Sequence, residues 1–277
     1  MGTGLCTDCQ NVVVEHLALN GGGQGVNGIV NRNSQELSYA NDITMTNFTG
    51  TGTGLWLNTR SNNSGPYTNI HYSGTGKCVQ IYDESNGNLI TRTRGIHGLT
   101  CAISGSSGAA IYLDAPDNSL EDVFIQGGSG QDGIVIGYQA AAYNNVLLNV
   151  TGSNLQNLVH IKSTNAVSDI TMMGITESGG GNSVYDELTK TTLTDPNLGM
   201  YILGEQLQGN IGYSRFTTST NANSGDAGGL TWLVGSYAPS PLNSCATPGS
   251  LYSCTNGTHC TGDTLYQCTN TGWAGIR

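Results

Sequence analysis

The sequence predicts an all-β fold, a solenoid of about seven coils of parallel strands with a small disulfide-rich β module at its C-terminal end. Three observations support this prediction. Apolar runs of three to five residues recur along the first two thirds of the chain, their period lies in the twenties, and no segment has a helical pattern. One such repeat cannot bury its own apolar side, so neighbouring repeats must stack into a common core.

The clearer of two apolar ladders marks the second strand of each coil. Steps of 26, 24, 32, 23, 25 and 25 residues separate its members, which are Ile29, Leu55, Val79, Ile111, Ile134, Val159 and Val184. Side chains two residues apart on a strand face the same side, so the residue two positions later should also point inward. That residue is apolar in five coils, and the exceptions are Asn31 in the first coil and Asp186 in the last.

A second ladder marks the first strand of each coil. Its predicted members are Val12, Ile43, Ile70, Ile96, Val123, Val146 and Ile170. Most are followed two residues later by another apolar residue, and these followers are Val14, Met45, Tyr72, Ile125, Leu148 and Met172. We therefore expect both strands of every coil to face one continuous core.

Three coils share a pattern of a polar residue, an Ile or Val two positions later and a further apolar residue. The segments are Asn41-Asp-Ile-Thr-Met45, Asn144-Asn-Val-Leu-Leu148 and Ser168-Asp-Ile-Thr-Met172. With Gly or Asn at the corners, the pattern resembles right-handed parallel β-helix proteins of the pectate-lyase-like superfamily over roughly residues 10 to 187. The resemblance implies a right-handed parallel β-helix that is secreted, from a bacterium or a phage. It implies no single activity, because lyases, hydrolases, tailspikes, adhesins and scaffolds share this fold.

Composition limits the partners and the compartment. The net charge is −10, charged residues make up 10% of the 277 residues, and Lys and Arg are nowhere clustered, so neither nucleic acid nor an anionic membrane is expected as a partner. No apolar run approaches the length of a membrane span. Eight cysteines and a surface rich in Gly, Ser, Thr and Asn predict a secreted, extracellular protein. The N-terminus lacks a signal-peptide pattern, so we interpret the chain as a mature or excised fragment.

The N-terminal residues hold Cys6-Thr-Asp-Cys9, which we interpret as a local disulfide or two separately paired cysteines. A redox or zinc site is less favoured, because no βαβ context or matching second pair is present. Leu5 and Val12 start the first coil close to the terminus, and no amphipathic helix is there to cover it. An uncovered coil exposes unpaired strand edges, so either preceding coils have been removed or another chain stacks there, as in a homo-oligomer or a fibre.

The domain prediction assigns residues 1–187 to the solenoid, 188–243 to closing strands and a loop, and 244–277 to a disulfide-stapled hairpin module. The long step before Ile111 carries extra residues, 83–94, whose flanking Cys78 and Cys101 can be bridged. The run at 217–229 is predicted to be a flexible loop. The last segment resembles the terminal hairpin of secreted bacterial β-helix proteins. Among its three connectivities we favour Cys245–Cys268 with Cys254–Cys260.

Two glycine-rich segments, 23–28 and 128–133, match the spacing of a dinucleotide-binding loop. Such a loop must open a helix, and both segments precede a strand instead, so we interpret them as corners of the solenoid. Residues 127–135 also fit one copy of a calcium-binding β-roll repeat, which shares each ion between tandem copies. No cofactor is predicted, and a structural calcium ion is the less favoured alternative.

The candidate site is the outward side of the second strands. One position after the ladder lie Val30, Trp56, Gln80, Tyr112, Val135, His160 and Tyr185; three positions after it lie Arg32, Asn58, Tyr82, Asp114, Gly137, Lys162 and Glu187. The position before the ladder is mostly small, with Gly28, Gly54, Cys78, Ala110 and Gly133. Aromatic rings beside a shallow floor can stack on sugar rings, which predicts a polysaccharide or cell-surface glycan bound by Trp56, Tyr82, Tyr112, His160 and Lys162. The alternative is an ordinary exposed sheet, where strand propensity favours Tyr and Trp.

Hydrolysis of a glycan would need two carboxylates about 5 Å apart for retention, or about 6.5–9.5 Å apart for inversion. The candidate catalytic residues are Asp83, Glu84 and Asp114, and Asp132 lies one coil further on. His71 and His97 fall one coil apart on the first strands as a general-base or metal pair, but neutral surface histidines are commoner, so no metal is predicted.

The resemblance carries over no catalytic residue. Polygalacturonase-like members have an adjacent Asp-Asp pair, a Gly-His-Gly and an Arg-Ile-Lys, whereas this chain has no Asp-Asp and only Gly95-Ile-His-Gly98. The closest counterpart of the lyase pattern is Arg92 and Arg94 near Asp83. The leading hypothesis is thus an extracellular protein that binds a polysaccharide, with cleavage by a hydrolase or lyase mechanism left open. The alternative is a non-catalytic fibre, spike or matrix component that assembles through end-to-end or lateral packing of coils.

Overall fold

The structure is a computed structural model of the chain. It describes residues 11–32, 37–58, 64–82, 93–105 and 108–188, together with separate strands at 191–193, 197–203, 206–207, 210–211, 215–216, 231–235, 251–254, 265–269 and 272–276. None of the described residues belongs to a helix long and apolar enough to cross a membrane.

Fourteen strands build the seven coils, two strands to a coil. Their bounds are β1 Val13–Gln24, β2 Ile29–Asn31, β3 Tyr39–Phe48, β4 Thr53–Leu57, β5 Tyr67–Gly74, β6 Lys77–Ile81, β7 Ile96–Ile103, β8 Ala109–Leu113, β9 Ser119–Gln126, β10 Asp132–Ile136, β11 Ala142–Ser153, β12 Asn157–Ile161, β13 Val167–Ser178 and β14 Asn182–Asp186.

The strands after the coils are short. They are β15 Thr191–Leu193, β16 Asn197–Leu203, β17 Gln206–Leu207, β18 Asn210–Ile211, β19 Arg215–Phe216, β20 Thr231–Gly235, β21 Leu251–Cys254, β22 Leu265–Thr269 and β23 Gly272–Gly275.

The strands alternate between two eight-stranded sheets. The first sheet has the order β1-β3-β5-β7-β9-β11-β13-β16, and the second has the order β2-β4-β6-β8-β10-β12-β14-β15. Seven strands of each sheet are parallel, while β16 and β15 pair antiparallel with β13 and β14. The remaining strands form a separate five-stranded sheet, β19 to β23, and the small pair β17–β18. The prediction of an all-β parallel solenoid with a small C-terminal β unit is confirmed.

The second sheet has the predicted register. Its inward ladder members are direct cross-strand partners, and none is more than 6% exposed. The two exceptions in the following row, Asn31 and Asp186, are also buried. The Asn31 amide donates a hydrogen bond of 2.7 Å to the Tyr67 hydroxyl, and the Asp186 carboxylate accepts one of 2.8 Å from the backbone N–H of Leu188. Partners of this kind allow polar groups to be buried at the two ends of the solenoid.

The predicted ladder of the first sheet is wrong at four of its seven positions. The inward row found in the structure is Leu17, Ile43, Ile70, Leu99, Val123, Val150 and Ile175. Val12 is 38% exposed, and Val146 is half-buried beside the buried Leu147. Ile96 and Ile170 are buried but belong to other rows, where they pair with Leu120 and Asn145.

A recurring left-handed residue explains this shift. Directly before each member of the inward row stands a residue with φ between 52° and 67°, and these residues are His16, Asp42, Asn69, Gly98, Asp122, Asn149 and Gly174. The left-handed residue adds one outward position, as in a β-bulge, so two consecutive residues face solvent in every coil. Asn, Asp and Gly are the residues that adopt this conformation most readily.

A disulfide joins the two sheets across the core. Cys78 of β6 and Cys101 of β7 are bonded, as their positions predicted. Cys268 is also disulfide-bonded. Cys6, Cys9, Cys245 and Cys260 lie outside the described residues, as does the side chain of Cys254, so the predicted C-terminal connectivity stays a prediction. The insertion at 83–92 and the predicted loop at 217–229 lie outside them as well.

Candidate functional site

The candidate site is the outer face of the second sheet. Its central row is the one predicted from the sequence, because Trp56, Gln80 and Tyr112 are successive cross-strand partners, as are Val135, His160 and Tyr185. Parallel strands stand about 4.8 Å apart, so neighbouring residues of the row can contact each other directly.

The predicted floor of small residues is wrong. Gly54, Cys78, Ala110 and Gly133 are buried and face the core. A Cβ atom at Gly54 would come within 2.6 Å of the Tyr72 ring on the opposite sheet. Two consecutive residues therefore point inward at the start of these strands. The residue directly before this inward pair then points outward, and these residues form a further outward row. That row contains Thr53, Lys77, Ala109, Asp132, Asn157 and Asn182.

Trp56 and Tyr82 lie together in the N-terminal part of the outer face. Both side chains are half-buried, and the Trp56 indole N–H donates a hydrogen bond of 3.4 Å to the Tyr82 carbonyl oxygen. The Arg32 guanidinium lies 5.8 Å from the centre of the Trp56 ring, within the range of a cation–π contact. The structure thus brings two of the predicted binding residues into contact.

A second aromatic cluster surrounds Tyr112. The Lys77 ammonium lies 5.0 Å from the centre of its ring and donates a hydrogen bond of 2.7 Å to the Gln80 side-chain oxygen. The Gln80 amide in turn donates to Gln139 at 3.0 Å. The ring of Tyr138, 51% exposed, lies 5.6 Å from that of Tyr112. Sequence reasoning missed Tyr138 and Gln139 because they belong to the turn after β10, outside the strand pattern.

Asp114 is buried beneath this turn, only 2% exposed. Its Oδ1 accepts hydrogen bonds from the backbone N–H groups of Tyr138 at 2.6 Å and Gln139 at 3.0 Å. Its Oδ2 is also buried and has no partner among the described residues. Burial raises the pKa of Asp114 from 3.8 to about 6, and these N–H groups and the charge of Lys77 offset only part of that rise. The carboxyl group holds the turn in place. The other catalytic candidates, Asp83 and Glu84, lie outside the described residues.

His160 is the centre of an ionic network that joins coils five to seven. Its Nδ1 lies 2.6 Å from an Asp132 oxygen and its Nε2 lies 2.8 Å from a Glu187 oxygen. The Lys162 ammonium donates to the same Glu187 oxygen at 2.5 Å. The Asn157 amide donates to the second oxygen of Asp132 at 2.6 Å. The predicted binding residues His160 and Lys162 are therefore both engaged with carboxylates.

The charges of this network stabilise one another. Burial alone would lower the pKa of His160, but the hydrogen bonds to Asp132 and Glu187 outweigh it and raise the pKa above 6.5. Burial alone would raise the pKa of Glu187, but Lys162, the Ser163 N–H and His160 lower it to about 2. The Asp132 and Glu187 carboxylates both contact the imidazole, so the network joins neighbouring coils. The His160 ring fills the space between these two carboxylates.

Among the described residues, no three His, Cys, Asp or Glu side chains are grouped so that they could hold a metal ion. The alternative of a calcium ion at residues 127–135 is not tested by this finding.

Comparison of the chain with protein-family models, with curated proteins and with solved structures finds no match in any of the three. The assignment of the fold as a parallel β-solenoid is therefore supported by the structure alone. The resemblance to the pectate-lyase-like superfamily, the right-handed sense of the coil and secretion stay predictions.

Proposed function

We propose that the protein binds a glycan along the outer face of the second sheet, with Trp56 and Tyr112 as the stacking residues. The observation that carries this proposal is the row in which Trp56, Gln80 and Tyr112 are successive cross-strand partners. The two rings are two strand spacings apart, about 9.6 Å, so a sugar ring can contact each of them. Gln80 between them is buried and holds Lys77 and Gln139 in place by hydrogen bonds.

The polar groups around Tyr112 favour binding because they are already ordered. Lys77, Gln80 and Gln139 form a hydrogen-bonded chain beside the ring, so little side-chain freedom would be lost when a ligand binds. Tyr138 adds a half-exposed ring that can close over a sugar from the side. A few fixed polar groups beside apolar surface are typical of ligand sites.

The proposal is limited to binding. Asp114 is buried, and Asp132 and Glu187 are paired with His160, so these carboxylates support the surface rather than face a ligand. Cleavage would need Asp83 and Glu84 and stays a separate prediction.

The test compares the wild-type protein with the Trp56→Ala/Tyr112→Ala double variant on a glycan array and then by titration. Loss of two stacking contacts should weaken binding roughly tenfold or more. The matched control is Phe124→Ala, which removes an exposed ring from the first sheet and should leave binding unchanged. Equal binding by the wild type and the double variant, or binding by neither, would reject the proposal.

The second candidate is a structural role in which coils stack end to end. It is supported by β1, whose sole hydrogen-bonded neighbour among the described strands is β3, and by Val12 and Val13, which are both exposed. Electron microscopy and sedimentation at high protein concentration test it. Filaments or oligomers would support this role, and a dispersed monomer would exclude it.

A further inference from the structure

A serine, a histidine and a glutamate converge on the outer face of the first sheet, away from the proposed glycan surface. Ser119 and Glu121 lie two residues apart on β9, so their side chains face the same way. His97 lies on the adjacent strand β7 as the direct cross-strand partner of Glu121. The side chains of His97 and Glu121 are 33% and 34% exposed, so solutes can reach them.

The imidazole of His97 lies between the carboxylate and the serine. Its Nδ1 is 3.0 Å from a Glu121 oxygen. Its Nε2 lies 2.7 Å from the point where a Cβ atom of Gly95 would be, and the Ser119 hydroxyl oxygen lies 2.4 Å from that same point. The His97 Nε2 and Ser119 Oγ atoms are therefore at most 5.1 Å apart, the sum of the two distances.

Gly95 keeps this space open. Its φ of 99° is a left-handed conformation that a residue with a Cβ atom rarely adopts, so the backbone itself selects glycine here. Any other residue would place its Cβ atom too close to both the Ser119 hydroxyl oxygen and the His97 Nε2 atom. The Ser119 hydroxyl makes no hydrogen bond with another described residue, so it can rotate toward Nε2. Such contacts are often long in a ligand-free protein and shorten when substrate binds.

We propose that Ser119, His97 and Glu121 form a nucleophilic site that hydrolyses carboxylic esters with a small acyl group. In the tautomer with its proton on Nδ1, His97 donates to Glu121, and its Nε2 lone pair can accept the serine proton in place of the 3.4 Å contact that Nε2 makes with the Arg94 carbonyl oxygen. The shallow position on an open sheet favours a small acyl group, such as acetyl, carried on an alcohol that remains in solvent.

The reaction needs no co-reactant except water. Ser119 Oγ attacks the ester carbonyl carbon while its proton moves to His97 Nε2. The bond to the alcohol oxygen then breaks, and Nε2 returns the proton to that alcohol. Water attacks the acyl-serine by the same route, which releases the carboxylic acid and restores the serine. Glu121 is a positioning residue, because it contacts the imidazole and not the ester.

The test uses the full chain, a fluorophosphonate probe with peptide mass spectrometry, and the hydrolysis of p-nitrophenyl acetate. We expect the probe to label Ser119, and Ser119→Ala to lose that label and to hydrolyse the ester at least about a hundredfold more slowly. Glu121→Gln should slow labelling of an intact Ser119 about tenfold or more, because the amide no longer favours the reactive tautomer.

The matched control is Ser73→Ala, which removes an exposed hydroxyl on the same sheet and should change neither readout. Circular dichroism checks that each variant is folded. An unlabelled Ser119 in the wild type, equal labelling of Ser73, or unchanged hydrolysis by a folded Ser119→Ala variant would each overturn the proposal.

Discussion

The two sheets of the solenoid belong to the same coils, yet the alternation of apolar residues predicts one of them far better than the other. Parallel strands of the second sheet are at most five residues long, and their ladder has the predicted register. Most first-sheet strands are eight to twelve residues long and contain a left-handed residue before the inward position. The alternation of inward and outward side chains is interrupted at such a residue. The inward positions of the longer strands are therefore harder to predict from the sequence.

The residue type at the left-handed position signals the interruption in the sequence. At six of the seven left-handed positions the residue is Asp, Asn or Gly within an otherwise strand-like run, and Asp122 and Asn149 are examples. A polar residue of this kind inside a strand pattern is usually interpreted as an outward position. Here it marks an added position, so the next residue faces inward again.

A substitution in the core tests the register of the first sheet directly. Leu147→Ala removes a fully buried side chain and should lower the free energy of unfolding by about 2–5 kcal/mol. Val146→Ala, its neighbour and control, removes a half-buried outward side chain and should cost less than about 1 kcal/mol. Urea unfolding followed by circular dichroism measures both. A larger loss for Val146→Ala would restore the register that alternation predicts.

A smaller effect tests the left-handed row. Asn149 has a φ of 52°, so Asn149→Val should lower the free energy of unfolding by about 1–2 kcal/mol more than Asn149→Gly. Both variants lose the 2.6 Å hydrogen bond from the Asn149 amide to Asp122, so their difference isolates the backbone cost. Thr151→Val, two residues later in ordinary strand conformation, should be tolerated. Equal stability of the Val and Gly variants would contradict this account.

The smallest effect concerns pH and the outer face of the second sheet. The raised pKa of His160 means that its stabilisation is present below pH 6.5 and is lost as the pH rises through its folded-state pKa. Asp114 acts in the same direction, because its folded-state pKa of about 6 lies above 3.8 and stability falls as pH rises between these values. Glu187, at about 2, contributes stability above pH 4.5 that is lost in stronger acid.

We therefore expect the melting temperature to be a few degrees higher at pH 5 than at pH 8. Asp114→Asn should reduce this difference, because an amide does not titrate, while its oxygen can still accept the two backbone N–H groups. Thermal unfolding at the two pH values, in buffers of equal ionic strength, measures the effect. A melting temperature that is higher at pH 8, or a difference unchanged in the variant, would show that these groups do not control it.

The sequence was sufficient to predict the outward row of the second sheet, but it was not sufficient to predict which side chains surround that row. Alternation predicted that Trp56 and Tyr112 share one face, because both lie in the regular part of their strands. It could not predict that Asp132 reaches His160, since two consecutive inward residues at the strand start reverse the face of the preceding row. The burial of Asp114 depends on a turn that folds back over the sheet, and turn geometry has no period to read.

The pairing of His97 with Glu121 has a signal in the sequence. The two residues are 24 positions apart, close to one coil, but the predicted first-sheet ladder was out of register near Ile96. When Leu99 is taken as the inward residue of β7, His97 and Glu121 each lie two positions before an inward residue and are cross-strand neighbours.

The Cys78–Cys101 bond also affects how the chain responds to cutting. It closes a covalent ring from Cys78 to Cys101, a sequence separation of 23, and this ring contains the insertion at 83–94. A protease that cleaved once inside this ring would leave both fragments attached, and they would separate in a gel only after reduction. The coils on either side can therefore stay joined through a cut in the segment between them.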